Sequence, residues 1–487
     1  MNIAAPEIDT GATAWLLAST ALVLLMTPGL AFYYGGMVRA KNVLGMLMQN
    51  FTTIAVVSVV WVLVAFSLAF GDANGFFGDL HFAGLVNLGD PLPGYSSATV
   101  PTAAFAGFQM MFAVITPALI TGATADRWRF TAFVAFVAVW SIVVYAPVAH
   151  WVFSPTGWAA RLGALDFAGG TVVHTNAGAA ALAMALLLGR RRDWPRRAMR
   201  PHNLPFVMLG TGLLWFGWFG FNAGSALHAD GVAATALINT QVAACTGLLA
   251  WIISERIRVG KATALGAASG AVAGLVAITP CAGFVNPLGA AAIGVIAGSL
   301  CAILVGLKSW FNIDDSCDVV AVHLGGGVIG SLCVGLFATR TVNPAGADGL
   351  FWGGGYKLLS AQAITVASVG AYSFVATLLI GAFIGRLVSH RVPARAEAIG
   401  IDLAQHGESA YRFGAEDELD LPEETSRRGR GAQPPAAPVP VATGTAGAPP
   451  PGPGAPGAPP GSPPGPPGGR GQGNGVPTFD PYGGRGQ

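Results

Sequence analysis

The chain is 487 residues long, 53% hydrophobic and only 10% charged, with a formal net charge of +2. An ordinary soluble domain carries about 25% charged residues, so these proportions exclude a water-soluble fold for most of the length. The near-neutral balance leaves no electrostatic footprint for nucleic acid.

The apolar material comes in long runs. Residues 42–70, 130–160, 203–229 and 262–307 contain no Asp, Glu, Lys or Arg. A bilayer core asks for roughly 20 apolar residues per helix. The last run is long enough for two helices, with TPCAGFVNPLG (279–289) as the turn between them. In chain order the pattern predicts eleven spans: 13–36, 43–70, 102–123, 130–151, 169–189, 204–223, 232–254, 262–280, 287–307, 319–339 and 359–388. The expected fold class is an all-α membrane protein. The opening MNIAAPEIDTGA lacks the basic leader of a secretory signal, so 13–36 reads as a retained span.

Basic residues set the orientation, since they favour the cytoplasmic side. With the N-terminus outside, 17 of the 20 Lys and Arg before residue 400 fall on inner connections, leaving Arg161, Arg340 and Lys357 outside. The reading is N-terminus out, C-terminus cytoplasmic, in the cell (plasma or inner) membrane. Glycine is abundant, at 68 residues, including LGAASGAVAG (265–274) and HLGGGVIG (323–330). Small residues let helices approach closely in lipid, which suits a rigid pore.

Three regions follow: a transmembrane domain over 1–396, a short polar cytoplasmic segment over 397–424, and a Pro/Gly-rich tail over 425–487. The middle segment contains IDLAQHGESAYRF, and its mixed character predicts an ordered element docked on the inner face. The tail has almost no apolar residues to bury and is expected to be disordered. Cys245, Cys281, Cys301, Cys317 and Cys333 lie in or beside apolar segments without metal-ligand spacing. They read as small hydrophobes packed between helices.

Polar groups inside spans are functional candidates by default. His174 sits in DFAGGTVVHTNAG on the fifth span and His323 in DDSCDVVAVHLGGG on the tenth. Five spans separate them, so they occupy corresponding places in two five-span halves. Halves of odd span number run oppositely through the membrane, the inverted-repeat pattern that places a site at the midplane. The fold is thus expected as a 5+5 inverted repeat plus one additional C-terminal helix. The plainer reading of either histidine is a core residue bonded to a carbonyl. Asp166 and Asp318 precede the two helices and read first as N-caps, although Asp166 can also act on a cation through its field.

Two aromatic clusters, AGFQMMFAVIT (106–116) and LLWFGWFGFNAGS (213–225), fall in outer halves of spans. Ring faces attract a cation by about 0.5–2 kcal/mol, and Ser225 can accept a hydrogen bond from such a guest. The competing reading is an interfacial aromatic belt and core packing.

Several stretches together resemble the ammonium transporter (Amt/Mep/Rh) family: MTPGLAFYYGGMVRAKNVL (26–44), DFAGGTVVHTNAG (166–178), PHNLPFVMLGTGLLWFGWFGFNAGS (201–225), SGAVAGLVAITP (269–280), DDSCDVVAVHLGGG (314–327) and HGESAY (406–411). They run in order along about 400 residues. The resemblance, to the Amt branch, implies an eleven-helix protomer in a homotrimer, with one pore per subunit. His174 and His323 match the twin pore histidines. Phe112 and Phe221 match the phenylalanine gate. Ser225 belongs to the outer ammonium site with Phe112, Phe153 and Asp166. Trp218 and Thr279 match pore-lining positions. HGESAY matches a cytoplasmic motif coupling subunits, and inner loops of the family often dock a PII-type regulatory protein. One departure stands out, because Phe153 occupies a vestibule position where many members carry tryptophan. Phenylalanine is the weaker cation–π partner, and Trp151 or Trp158 is a candidate to compensate.

The resulting expectation is a non-enzymatic channel-like transporter without cofactor or metal. Ammonium is recruited outside and deprotonated, ammonia crosses a hydrophobic pore, and the histidines relay the proton. Three rivals remain: an ammonium sensor, an electroneutral Rh-like gas channel, and an intramembrane metalloenzyme. The last lacks an HExxH-type motif and a third clear ligand.

Overall fold

The computed structural model describes residues 7–95, 99–195 and 200–411. The Pro/Gly-rich tail, and 412–424 of the polar segment before it, lie outside the described residues.

Apolar runs become helices because the lipid interior leaves backbone N–H and C=O groups no partner but each other. In chain order these are α1 (Thr10–Met37), α2 (Ala40–Phe70), α3 (Thr102–Thr124), α4 (Phe130–Leu162), α5 (Gly170–Leu188), α6 (Leu204–Gly224), α7 (Gly231–Val259), α8 (Ala264–Ile278), α9 (Pro287–Trp310), α10 (Val320–Phe337) and α11 (Lys357–Leu387). A short helix, α12 (Ala394–Ile399), follows. Among the described residues there is no strand, only a bridge between Trp128 and Arg391. Asp9, Asn203, Asp230, Thr263 and Asn286 cap α1, α6, α7, α8 and α9 through side-chain oxygens.

Ten of these helices are long and apolar enough to cross a membrane. The exception is α8, whose 15 residues rise about 22 Å against a hydrocarbon core of roughly 30 Å. The run 262–280 is helical over less than its length for local reasons. Thr263 sets the start by accepting from Gly266 N at 2.9 Å. Beyond Ile278 the chain turns at Thr279 and Pro280, and proline has no N–H to continue a ladder.

The first ten helices form two inverted halves, α1–α5 and α6–α10, and α11 lies along α5. The corresponding helices α1 and α6 are in intimate contact. A Cβ added at Gly29 would stand 2.9 Å from Leu213 Cβ, and one at Gly36 would stand 2.7 Å from Val207 N. The corresponding pair α5 and α10 meets the same way. A Cβ on Gly178 would stand 2.6 Å from Leu324 Cα, and one on Gly327 would stand 2.8 Å from Thr175 N. Gly178 lies four residues after His174, and Gly327 four after His323. The glycines thus bring both histidine helices together just beyond the rings.

Both histidine helices open on a π-helical turn, Gly170–Thr175 and Val320–Gly325, a widened turn common at functional sites. Their acidic caps correct one expectation. Asp166 does cap α5, accepting from Gly169, Gly170, Thr171 and Val172 N at 2.7–3.1 Å. At α10 the cap is Asp315, which accepts from Val319 N at 3.1 Å and Val320 N at 2.7 Å. Asp318 instead turns away to pair with Lys308, with its backbone in the left-handed region at φ 60°. Asp166 and Asp315 each stand eight residues before their histidine, which makes them the equivalent pair.

On the end of the bundle that carries the basic connections, residues 397–411 pack against the start of α2, the start of α4 and the connection before α6. Asn42 Oδ1 accepts from Ile401 N at 2.8 Å, and Asp402 Oδ1 from Gly45 N at 2.7 Å. Gln405 Oε1 accepts from Phe130 N at 2.8 Å, and Tyr411 Oη meets His202 Nε2 at 3.0 Å. Nearby, Arg191 bridges Asp314 at 2.7 Å and Asp126 at 3.5 Å, and Arg39 pairs with Asp126 at 3.0 Å.

Candidate functional site

A file of aromatic and imidazole rings runs through the bundle between the two halves. It begins at a cavity of about 150 Å³ on the end opposite the basic connections, lined by Gln109, Phe153, Asp166 and Ser225 among others. Ser225 Oγ donates to Phe221 O at 2.8 Å, which leaves its lone pairs free. Both oxygens of Asp166 hold backbone N–H groups, so this carboxylate reaches the cavity mainly through its field.

Phe112 and Phe221 come next. Both are fully buried and stacked at 4.2 Å between centroids with 26° between planes. Phe153 meets Phe112 edge-on at 6.4 Å. Trp151 and Trp158 do not line the cavity. Trp151 donates its indole N–H to Phe76 O at 2.7 Å and packs on Tyr372. Trp151 and Trp158 instead pack against each other, with ring centroids 5.8 Å apart.

Beyond the phenylalanines lies a second cavity of about 10 Å³, lined by Phe221, Trp218, His174, His323 and apolar side chains. That is about the least space that admits one water-sized molecule. His174 and His323 are buried, with Nδ1 atoms 3.2 Å apart. A neutral imidazole has one N–H and one bare nitrogen. One ring therefore donates through Nδ1 and keeps Nε2 bare, while the other accepts at Nδ1 and carries its hydrogen on Nε2. His174 Nε2 is buried without a hydrogen-bond partner among the described residues. Trp218 stacks on His174 at 5.4 Å and 18°. Its indole N–H donates to Thr279 Oγ1 at 2.9 Å, and Thr279 donates on to Leu275 O at 2.8 Å. Thr279 thereby orients the tryptophan that orients the histidine.

All nine residues singled out from the sequence fall along this file. Sequence reasoning missed the walls: Met26, Leu30 and Tyr33 of α1, Ile115 and Leu119 of α3, and Val272 of α8. Met26, Leu30 and Tyr33 recur at helical spacing, but so do residues that face lipid. Gln109 was also missed, although a polar side chain within an uncharged run is itself a signal.

The model of the Ammonium Transporter Family matches residues 14–411. An ammonium transporter of Mycobacterium tuberculosis is 50% identical over 445 residues, covering 85% of this chain and 93% of that protein. One from Bacillus subtilis is 49% identical, covering 83% and 99%. Among solved structures, Saccharomyces cerevisiae Mep2 superposes with a TM-score of 0.75 at 37% identity, over 80% of this chain and 90% of that one. A structure described as a sensor Amt protein matches with the same TM-score at 32% identity, over 81% and 98%. With its multi-pass helical bundle, the chain belongs to the ammonium transporter family.

Proposed function

We propose that the ring file is a conduction path that recruits ammonium, deprotonates it, and passes ammonia and the proton separately. The observation that carries this reading is the 3.2 Å contact between the histidine Nδ1 atoms beside a cavity that admits a single small molecule.

Ammonium enters the larger cavity, drawn by Phe112 and Phe153, the Ser225 oxygen and the field of Asp166. Beyond the phenylalanine pair the walls are apolar, and an intact cation without partners is costly there. Losing a proton removes that cost. The bare Nε2 of the histidine pair accepts it, the shared hydrogen moves between Nδ1 atoms, and the far Nε2 releases its own. Ammonia follows through the apolar space. Potassium has no proton to give up and is held back.

In the same reading the N-terminus faces outside, the C-terminus faces the cytoplasm, and the protein resides in the plasma or inner membrane. It functions as a homotrimer with one path per subunit. The segment 397–424 is regulatory and reports on the inner connections, which also offer the docking place for a PII-type protein. The tail over 425–487, outside the described residues, lies on the cytoplasmic side in this reading.

The likeness to a sensor Amt structure gives a second reading, in which ammonium is bound and reported with little transport. Currents in proteoliposomes separate the two. The transport reading expects selective current with ammonium and methylammonium and none with potassium, lost in a His174→Ala/His323→Ala double variant. Normal selective current in that variant removes the relay, and a wild-type chain that passes neither current nor ammonia, followed by internal pH, favours sensing.

A further inference from the structure

The eleventh helix stands outside the two repeated halves, yet it sends one buried amide into the turn that carries Asp166. Gln362 of α11 is 2% exposed. Its Oε1 accepts from Leu165 N at 2.8 Å, and its Nε2 donates to Leu165 O at 2.8 Å and to Ser331 O at 2.9 Å. One carboxamide thus satisfies both backbone groups of the residue before Asp166 and ties that residue to α10. Two further contacts close the assembly. Phe167 N donates to Pro280 O at 3.1 Å, and the hydroxyls of Thr171 and Ser331 meet at 2.9 Å. Asp166 is therefore pinned through its neighbours on both sides.

The inner cap has the same arrangement with different chemistry. Asp314 precedes Asp315 as Leu165 precedes Asp166, and its carbonyl oxygen accepts from Arg127 Nη2 at 2.7 Å. A guanidinium holds the inner turn, and a neutral amide holds the outer one. The difference matters electrostatically. A positive charge in the place of Gln362 would offset the negative charge of Asp166. Among the described residues Asp166 forms no salt bridge, and it lines the outer cavity. We propose that Gln362 is a positioning residue for transport. It holds the Asp166 turn by hydrogen bonds alone, so the carboxylate is fixed in place while its field stays open to an arriving cation. The proposal rests on the reading of the chain as an ammonium transporter in which Asp166 acts through its field.

The test is transport rate against ammonium concentration for the full chain in proteoliposomes, read as current and as internal pH, with thermal melts of the same preparations. Gln362→Met keeps the unbranched shape and removes all three hydrogen bonds, and Gln362→Leu makes the same deletion should Met prevent folding. Either should raise the half-saturating concentration roughly tenfold, because the carboxylate is no longer held where its field acts. The maximal rate should stay within about twofold, as expected where recruitment alone is weakened. Gln362→Lys offers donors to the same carbonyls but adds a charge, and should saturate at or above the concentration of the Met variant. Ser373→Ala supplies the structural control. It removes another buried bond between α11 and α5, from Ser373 Oγ to Asn176 O at 2.8 Å, and should lower the melting temperature without moving half-saturation. Wild-type half-saturation in the Met and Leu variants overturns the proposal, as does a Lys variant that saturates like wild type. A Ser373→Ala variant shifted as far as Met overturns it too, since general loosening of α11 would then be the cause. A wild-type chain that passes neither current nor ammonia overturns the transport reading instead, a result distinct from active wild type with indifferent variants.

Discussion

Gly178 on α5 and Gly327 on α10 make reciprocal contacts across the pseudo-twofold axis, each set against the residue immediately following the other helix's histidine. Neither position has room for a methyl group. The 3.2 Å separation of His174 and His323 is therefore a consequence of two absent side chains one turn farther along.

Adding that methyl should separate the rings. Gly178→Ala and Gly327→Ala are each expected to cost about 1–3 kcal/mol of stability through overpacking. Ammonium current should fall at least tenfold, since a hydrogen-bonded transfer weakens steeply with distance. Currents measured on protein shown to be folded by its thermal transition check this. Current equal to wild type in both variants would mean that the contact between the rings is dispensable.

Thr279 holds Trp218, whose ring stacks on His174. Thr279→Val keeps the volume but leaves a buried indole N–H without its acceptor, a cost of about 1–3 kcal/mol. The expected outcome is a lower melting temperature and reduced maximal current, with the half-saturating ammonium concentration unchanged because the outer cavity is untouched. Thr279→Ser should restore both.

The caps of the two histidine helices should respond differently from what the run DDSCD suggests. Asp315→Ala removes the carboxylate bound to Val319 and Val320 N and should destabilise the protein by about 0.5–2 kcal/mol. Asp318→Ala removes a partner of Lys308 on a partly exposed pair, where the loss is expected within about 1 kcal/mol. Thermal melts of the two variants side by side decide the order.

The ion network below the bundle sets an acid limit. Burial by itself raises the Asp314 carboxyl, but the hydrogen bonds and charge of Arg191, with the charge of Arg127, outweigh it and hold the group below its ordinary value. A carboxyl depressed in the folded state stabilises the protein above its unfolded pKa, about 3.9. That stabilisation is lost as pH falls through the folded value. The melting temperature of wild type should therefore decline below about pH 4. Asp314→Asn should be less stable near neutrality by about 1–3 kcal/mol, because Arg191 is left with the Asp126 carboxylate, 3.5 Å away, as its remaining acidic partner. It should also lose less on acidification. Melting temperatures measured from neutral to acid pH check both slopes.

Much of this architecture was legible because a lipid interior enforces long uncharged runs, and most span boundaries fall within a few residues of the helices. The exceptions are local: α4 is carried on to Leu162 by a short helical piece, Trp158–Leu162, and α7 runs on to Val259. The pairing of His174 with His323 followed from the repeat alone. The choice between Asp315 and Asp318 did not, because three aspartates crowd one turn and composition ranks them equally. Comparing offsets would have decided it, since eight residues separate Asp166 from His174 and eight separate Asp315 from His323. The path walls stayed hidden, because Leu30 beside a histidine and Leu24 beside lipid look alike in one dimension. The part played by Gln362 depends on which backbone groups its amide reaches, which only coordinates disclose.

The asymmetry of the Nδ1–Nδ1 contact carries a cost in time. Each proton handed along the proposed relay exchanges the tautomers of His174 and His323, so the receiving nitrogen ends up already occupied. Before another ion can be served, the rings must be returned to their starting arrangement. Turnover would then include an idle stroke, and a slow return would cap the current however abundant ammonium became outside.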